Sequence, residues 1–253
     1  MNRQTAIRWI MAAVLGSSLA ASAAPGKDDK KDNPKPAPGH TVDSGSFGVF
    51  IKGQRVVTET FTIEQQNGAS VIKAQLKGAD DPNAAQRSEL HITPAGELIR
   101  YEWSQDSGGT LTVLPNNEFL IERISANAAA KPAEQPFLMP NTSLILDNNF
   151  FTQREVLVWR YLAADCKSEG GGLKCQQGPV EFGALVPQDR TSMHVSVELV
   201  GKEKVTIRGS EHELLRLKLS GENFEWALWV DPQDQFKLMR VAIPADNTEV
   251  IRD

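Results

Sequence analysis

One stretch of the chain has the apolar periodicity of a helix, and the segments on both sides of it alternate like strands. Within residues 144–162 the large apolar side chains recur at helical spacing. Asp147, Asn148 and Asn149 offer side-chain oxygens to the first free N–H groups of such a helix. The sequence therefore predicts one amphipathic helix near residues 149–162, around which the other elements are organised.

The alternating segments fall into two groups, at about residues 44–124 and 179–251. Turn signals such as Asn67-Gly68 separate them at the rhythm of an antiparallel meander. Each strand has one apolar face, so one side of the sheet needs a cover, and the helix is the natural one. The sequence predicts a mostly β fold: a large curved antiparallel sheet or half-barrel of about 11–13 strands covered by one main helix.

Three features depart from this pattern. Residues 125–140 contain three prolines and an alanine run, which predict a surface crossover or a lid. Glu59 lies on the same strand face as Phe61, so it is either a buried acid of raised pKa or an edge residue in water. Arg154 and Glu155 are predicted to lie on the solvent side of the helix.

The first 24 residues have the pattern of a secretory signal peptide. Arg3 and Arg8 precede an apolar run at residues 9–20 and a cleavage site of small residues. The alternative is an uncleaved anchor, although the run is shorter than the roughly 20 residues that cross a bilayer. No later stretch approaches that length, so we expect no transmembrane segment in the mature chain and an exported protein, periplasmic or secreted.

Residues 25–43 are charged and rich in proline, which predicts a flexible linker before a single β-rich domain at residues 44–253. Removal of the signal peptide takes away two arginines and leaves 25 basic and 32 acidic residues, a formal charge of −7. This charge argues against nucleic acid and anionic lipid surfaces as partners. It does not bear on apolar ligands.

The chain has two cysteines, Cys166 and Cys175, separated by a glycine-rich segment. In an exported protein the default for such a pair is a disulfide, which contributes roughly 2–3 kcal/mol for a short loop. A metal site would need further ligands nearby, and a redox pair has a shorter spacing. The pair is therefore predicted to be a structural disulfide.

The sequence carries no recognisable catalytic or phosphate-binding motif. Its histidines, His40, His91, His194 and His212, are widely separated. We therefore expect no metal, no cofactor and no enzymatic activity. An enzyme would require His194 or His212 to lie beside a carboxylate in a pocket.

Aromatic side chains concentrate on the predicted helix and on strands that would face it. Their arrangement fits either a packed core or an apolar pocket between the sheet and the helix, and exposed tryptophans would also suit a sugar. The predicted ligand-facing residues are Tyr101, Trp103, Phe150, Phe151, Trp159 and Trp226.

The phrases GVFIKGQRVV at residues 48–57 and ALWVD at residues 227–231 resemble strand pairs of uncharacterised bacterial envelope domains. Together with the leader and the helix inserted midway, the arrangement resembles the half-barrel of periplasmic lipoprotein carriers. The resemblance implies a concave apolar face that shelters acyl chains.

The sequence thus leads to two functional hypotheses. The first is an exported, non-enzymatic domain that binds an apolar ligand, such as a lipid or an acyl chain, between the sheet and the helix. The alternative is a structural or protein-interaction module of the cell envelope that uses an exposed strand edge or residues 125–140 to bind an envelope protein.

Overall fold

Strands make up most of the computed structural model, which describes residues 39–79, 85–127, 129–169 and 172–253. The strands before the helix are β1 (His40–Ile51), β2 (Gln54–Gln66), β3 (Ala69–Gly78), β4 (Gln86–Ile92), β5 (Leu98–Gln105), β6 (Thr110–Asn116), β7 (Phe119–Ser125), β8 (Ala133–Phe137) and β9 (Leu144–Ile145). After the helix α1 (Thr152–Asp165) come β10 (Cys166–Glu169), β11 (Gly172–Cys175), β12 (Val180–Val186), β13 (Thr191–Ile207), β14 (Ser210–Ser220), β15 (Glu225–Asp231), β16 (Lys237–Ile243), a 3₁₀ turn (Pro244–Asp246) and β17 (Thr248–Arg252).

Fifteen strands form one sheet in the order β8-β7-β6-β5-β4-β3-β2-β1-β17-β16-β15-β14-β13-β12-β9, and the sheet does not close into a barrel. Its neighbours are antiparallel except for β9 and β12, which are parallel. The first and last strands pair with each other, so both halves of the chain share one sheet. The predicted class, a large sheet around one main helix, is confirmed.

The predicted count of about 11–13 strands is too low. One addition is β8, which lies inside the segment predicted to be a crossover; proline is tolerated there because β8 is an edge strand. The other is β9, which lies at the start of the stretch that has helical periodicity. The remaining two strands, β10 and β11, form a separate hairpin.

The predicted linker, residues 25–43, ends too late in the chain. Strand β1 begins at His40, and the side chain of Asp43 is buried against Arg252 of β17, whose Nη2 lies 2.7 Å from both carboxylate oxygens. A pairing partner far along the chain thus orders residues whose composition resembles a linker. The predicted signal peptide and the rest of the linker lie outside the described residues.

Helix α1 begins at Thr152 and ends at Asp165, three residues later at each end than predicted. Every residue from Thr152 to Val158 is buried, so the first two turns are enclosed on all sides. The prediction that Arg154 and Glu155 face solvent is therefore wrong: they are 2% and 0% exposed. The sheet curves around the helix and contacts its polar side as well as its apolar side.

Candidate functional site

The amino end of α1 is held by a carboxylate from a distant strand. Oε2 of Glu59 on β2 accepts the N–H of Phe151 at 2.6 Å, and Oε1 accepts the N–H and the hydroxyl of Thr152 at 3.1 and 2.7 Å. Glu59 is fully buried, and burial raises its pKa to about 7 against the hydrogen bonds, which lower it. The predicted caps at Asp147–Asn149 do not cap the helix, because Glu59 occupies that position.

Asp147 instead organises a buried polar network beside the helix. It accepts the Tyr101 hydroxyl and the amide of Gln188, which also lies 3.3 Å from the Tyr101 oxygen. The backbone N–H of Asp147 donates to Oε1 of Gln153 at 2.6 Å, and its carbonyl accepts Nη1 of Arg154. Burial raises the pKa values of both Asp147 and Tyr101, and the hydroxyl of Tyr101 donates its hydrogen bond to the Asp147 carboxylate.

Four of the predicted ligand-facing residues meet around Arg154. Its guanidinium carbon lies 5.5 Å from the ring centre of Phe151 and 5.1 Å from that of Trp226, and its Nη1 donates to the carbonyl of Phe150 at 2.8 Å. Tyr101 reaches the same guanidinium through the network described above. Burial lowers the pKa of Arg154 to about 10, so the guanidinium remains charged at neutral pH inside an aromatic and polar cage.

The other two predicted residues lie elsewhere. Trp103 is half-buried, and its Nε1 donates to Oε1 of Gln86 at 3.2 Å. Trp159, midway along α1, donates to the carbonyl of Phe236 at 3.2 Å. The structure therefore brings together Tyr101, Phe150, Phe151 and Trp226, but not Trp103 and Trp159.

Glu155 of α1 and Asp43 of β1 form a buried acidic pair on another side of the helix. Oε2 of Glu155 accepts the N–H of Leu238 at 3.0 Å and lies 3.3 Å from Nη1 of Arg252. Burial and the neighbouring carboxylate of Asp43 raise the pKa of Glu155 to about 9. Burial raises the pKa of Asp43 too, but Glu155 and Arg252 together lower it below its ordinary value. At neutral pH the pair therefore carries one proton.

The turn at residues 187–190, between β12 and β13, links one end of the sheet to the other half. Gln188 reaches Asp147 and Tyr101, and Asp189 accepts the side-chain amide of Asn148 at 2.5 Å. We use the name seam for the region formed by the turn at residues 187–190, the segment at residues 138–143 that follows β8, and the parts of β12 and β13 that adjoin them. Polar contacts rather than a strand ladder hold the turn side of the seam together.

Glu122 on β7 is a buried carboxylate at the seam whose hydrogen-bonding capacity is unsatisfied. Its side chain is 0% exposed, and neither carboxylate oxygen accepts a hydrogen bond from the described residues. The guanidinium Nε of Arg190 lies 3.3 Å from one oxygen, a distance for an ion pair without hydrogen-bond geometry. Burial raises the pKa of Glu122 to about 7, which the charge of Arg190 only partly offsets.

A pocket of about 350 Å³ opens at the other side of the seam. Leu138, 79% exposed, lies beside it with Met139 and Met193, while Gly183 leaves part of its wall without a side chain. His194 also lines this seam pocket, but no carboxylate is among the described residues that do. Methionine side chains adapt to varied apolar shapes, so the surface suits an apolar group.

The space that the first hypothesis requires, between sheet and helix, is nearly filled. The cavity that α1 encloses with β4, β5 and β9 measures about 10 Å³. That volume suits one water molecule, whereas small-molecule sites measure about 300–1,000 Å³. In this conformation the cavity has no room for an acyl chain.

The predicted disulfide between Cys166 and Cys175 is confirmed, and it joins β10 to β11 at facing positions. Among the residues that the structure describes, no helix combines the length and the apolar character that a bilayer crossing requires. In the same part of the chain no three potential metal ligands come together.

Sequence reasoning singled out Glu59 but left its burial open, and it missed Gln188, Glu122 and Arg190. Glu59 gave a signal because it interrupts an apolar strand face. The turn at residues 187–190 gave none, since its polar residues are typical of any exposed turn. Only the pairing of distant strands reveals that these side chains point at buried groups.

No protein-family model and no curated protein matches the chain. Its fold is similar to that of a beta-barrel-like protein of the domain of unknown function DUF1849 from Brucella abortus, known from a crystal structure. The TM-score is 0.52 at 6% sequence identity, over 83% of this chain and 94% of that chain. At this identity the likeness establishes a β-rich, beta-barrel-like fold and nothing finer.

Proposed function

We propose that the protein is an exported, non-enzymatic interaction module that binds an extended segment of another envelope protein along strand β8. The observation that carries this proposal is the edge position of β8, which among the strands of the described residues pairs with β7 alone and is mostly exposed. The edge at the other end of the sheet, β9, has two residues and both are buried. An exposed edge strand offers backbone groups to which a partner strand can add.

The seam pocket supports the same proposal because it begins where β8 ends. Strand β8 stops at Phe137, and exposed Leu138 follows it at the rim of the pocket. A partner strand paired with β8 would present alternate side chains on one face, and an apolar one near its end would reach the pocket. Backbone pairing would supply affinity and the pocket would select the anchor residue.

Two observations support the non-enzymatic and exported parts of the proposal. Two groups of strongly perturbed pKa, Glu59 and Tyr101, are fully buried and already hydrogen-bonded to protein groups. The disulfide is compatible with an oxidising compartment, as the predicted signal peptide requires.

A photo-crosslinking residue at Ala133 tests the proposal in cells. We expect one discrete crosslinked product, which Leu138→Ser weakens several-fold because the apolar rim of the pocket is lost. Val200→Ser is the matched control, since Val200 is 54% exposed and lies away from β8. Equal crosslinking in both variants, or no discrete product, would refute the role of this edge.

A second candidate function, binding of a lipid or acyl chain, is favoured by the volume and apolar lining of the seam pocket. It agrees with the expected likeness to lipoprotein carriers, which stays a prediction from the sequence. Native mass spectrometry of the mature protein would detect retained lipid. Gly183→Leu would fill the pocket and abolish retention; lipid retained equally by this variant would place the ligand elsewhere.

A further inference from the structure

Glu122 places an acid on the inner face of the sheet between uncharged neighbours. It pairs directly with Val113 of β6 on one side and with Gln135 of β8 on the other. Val113 belongs to the buried core, so the side chain of Glu122 points to the same inner face. Arg190, from the turn at residues 187–190, lies against the carboxylate, so this turn forms part of its cover.

Arg190 supplies the one ion pair that this carboxylate has among the described residues, with Nε at 3.3 Å and no hydrogen-bond geometry. The next titratable side chain in the same cross-strand row is Tyr101 on β5, and its hydroxyl donates to Asp147. From α1, Arg154 donates to the carbonyl of Asp147. Asp189, in the turn, accepts a side-chain amide from the segment before α1. The single charge of Arg190 offsets only part of the cost of burying the acid.

Side-chain contacts hold the turn at residues 187–190 in its closed position. Gln188 donates to Asp147 and lies 3.3 Å from the Tyr101 oxygen, while its own Oε1 is buried and accepts no hydrogen bond from the described residues. Arg190 has a φ of 53°, in the left-handed region that is unfavourable for a residue with a Cβ atom. Few favourable contacts therefore have to break when the turn opens.

The turn adjoins two functional parts of the seam. On its carboxyl side, Thr191 and Ser192 begin β13, and Ser192 lines the seam pocket. On the side of the helix, Asp189 holds the amide of Asn148, in the segment that precedes α1. Opening of the turn therefore changes a wall of the pocket and releases a contact of the segment before the helix.

The two protonation states of Glu122 differ in how well they fit the closed turn. The neutral acid is buried at a smaller cost than the carboxylate, which regains its hydration only when the turn moves away. The pKa of Glu122 in the closed structure is accordingly raised from 4.5 to about 7. We infer that the turn at residues 187–190 is a pH-sensitive switch at the seam, which stays closed over neutral Glu122 and opens when that carboxylate is ionised.

The direction of the pH effect follows from the pKa values of the two states. In the open state Glu122 is hydrated, and its pKa returns toward the ordinary 4.5. The preference for the closed turn is therefore complete below 4.5 and is lost as the pH rises to about 7. Within that interval each pH unit raises the ratio of open to closed molecules about tenfold.

Hydrogen exchange of the full mature chain at pH 5.5 and pH 7.5 tests this inference. Each amide rate is divided by its intrinsic rate at that pH, so that the ratio reports local opening. We expect the protection of residues 187–192 and 146–149 to fall at least about tenfold between the two pH values. Protection that is equal at both pH values, or that rises with pH, overturns the inference.

Variants assign the effect to Glu122. Glu122→Gln keeps the shape of the side chain and cannot ionise, so the corrected protection of the turn should agree within about twofold at the two pH values. Glu134→Gln is the matched control, because Glu134 lies on the adjacent strand β8 in an exposed ion pair, 2.8 Å from Arg123. The control should keep the full pH dependence. If Glu122→Gln keeps it as well, another group controls the turn and the inference is wrong.

Arg190→Gln gives a second, independent readout. It removes the cation that partly offsets the burial of ionised Glu122. The protection of the turn should therefore fall several-fold at pH 7.5 and stay unchanged at pH 5.5, where the neutral acid needs no counter-charge. An equal loss at both pH values would show that Arg190 supports the turn by packing and would count against the switch. These measurements need no partner and no ligand, so this inference and the proposed function fail independently.

Discussion

The amino end of α1 and the seam each bury a glutamate whose pKa is raised to about 7, yet the two regions are built differently. Glu59 accepts three hydrogen bonds from the helix, whereas Glu122 accepts none from the described residues. A buried carboxylate without donors destabilises the folded state, and one with donors holds its neighbours in place. The contacts of Glu59 therefore stabilise the amino end of the helix, whereas the unsatisfied Glu122 destabilises the seam.

This difference bears on where the molecule can open. Releasing α1 requires the loss of Glu59, Glu155 and the Asp147 network together, all of them buried. Opening the turn at residues 187–190 exposes Glu122 to water, which relieves its desolvation. We therefore expect local opening of the seam to cost less free energy than release of α1 from the sheet.

The largest expected effect comes from Glu59→Ala. It leaves two backbone N–H groups and the hydroxyl of Thr152 without an acceptor and should lower the free energy of unfolding by about 3–5 kcal/mol. Glu59→Gln keeps one acceptor oxygen and should lose less. Urea denaturation measures the loss in both variants. A loss below about 1 kcal/mol for Glu59→Ala would contradict the claim that Glu59 stabilises the amino end of α1.

The dependence of stability on pH should be the next largest effect. The pKa values of Glu59 and Glu122 rise from 4.5 in the unfolded chain to about 7, and that of Glu155 rises to about 9. Each group contributes stability that is complete below 4.5 and is lost as the pH rises through its folded value. Asp43, whose pKa is lowered, contributes in the opposite sense only in stronger acid.

The protein should therefore melt at a higher temperature at pH 5.5 than at pH 8.5, at constant ionic strength. Calorimetric scans across this range measure the effect. Glu122→Gln removes one of the three titrating groups and should flatten the profile. A stability maximum near pH 8 in the unmodified protein would show that these carboxylates are ionised at no cost in the folded state.

The smallest expected effect is that of Glu122→Gln on stability at pH 8, and its sign is opposite to that of Glu59→Ala. Replacing a desolvated carboxylate by an amide of the same shape should be neutral or stabilising by up to about 1 kcal/mol. Arg190, with 41% of its side chain exposed, returns to water. If urea denaturation showed that Glu122→Gln lowers the free energy of unfolding by about 2 kcal/mol or more, Glu122 would stabilise the seam as Glu59 stabilises the helix end, and the contrast between the two regions would be wrong.

Features that depend on neighbours in the chain could be predicted from sequence. Asn67 and Gly68 both have positive φ, as the hairpin signal required, and the two cysteines pair. The single helix and the alternating strands follow from periodicity, although α1 starts at Thr152. Its start could not be read from Asp147–Asn149 because the acceptor for its first N–H groups is Glu59, 92 residues from Phe151.

The candidate site was predicted only in part, for a related reason. Phe151 and Trp226 meet as expected, with ring centres 6.3 Å apart. The charge between them, Arg154, was assigned to solvent because an apolar stripe shows one buried face and cannot show that a curved sheet buries the opposite face too. Strand β8 was missed because Pro136 within it, like Pro132 and Pro140 on either side, is typical of a loop, and within a sheet proline is tolerated mainly on an edge strand.

The amino-acid sequence alone determined the β class, the single helix, the disulfide and the turn chemistry, because local backbone preferences and apolar periodicity act over a few residues. The tertiary structure decided which polar side chains are enclosed, which strand is left as an open edge and how little space remains beneath the helix. Those outcomes depend on pairings between residues far apart in the chain, such as Glu59 with Thr152 and Asp43 with Arg252. Their free energies arise only when curvature brings the partners together and excludes water.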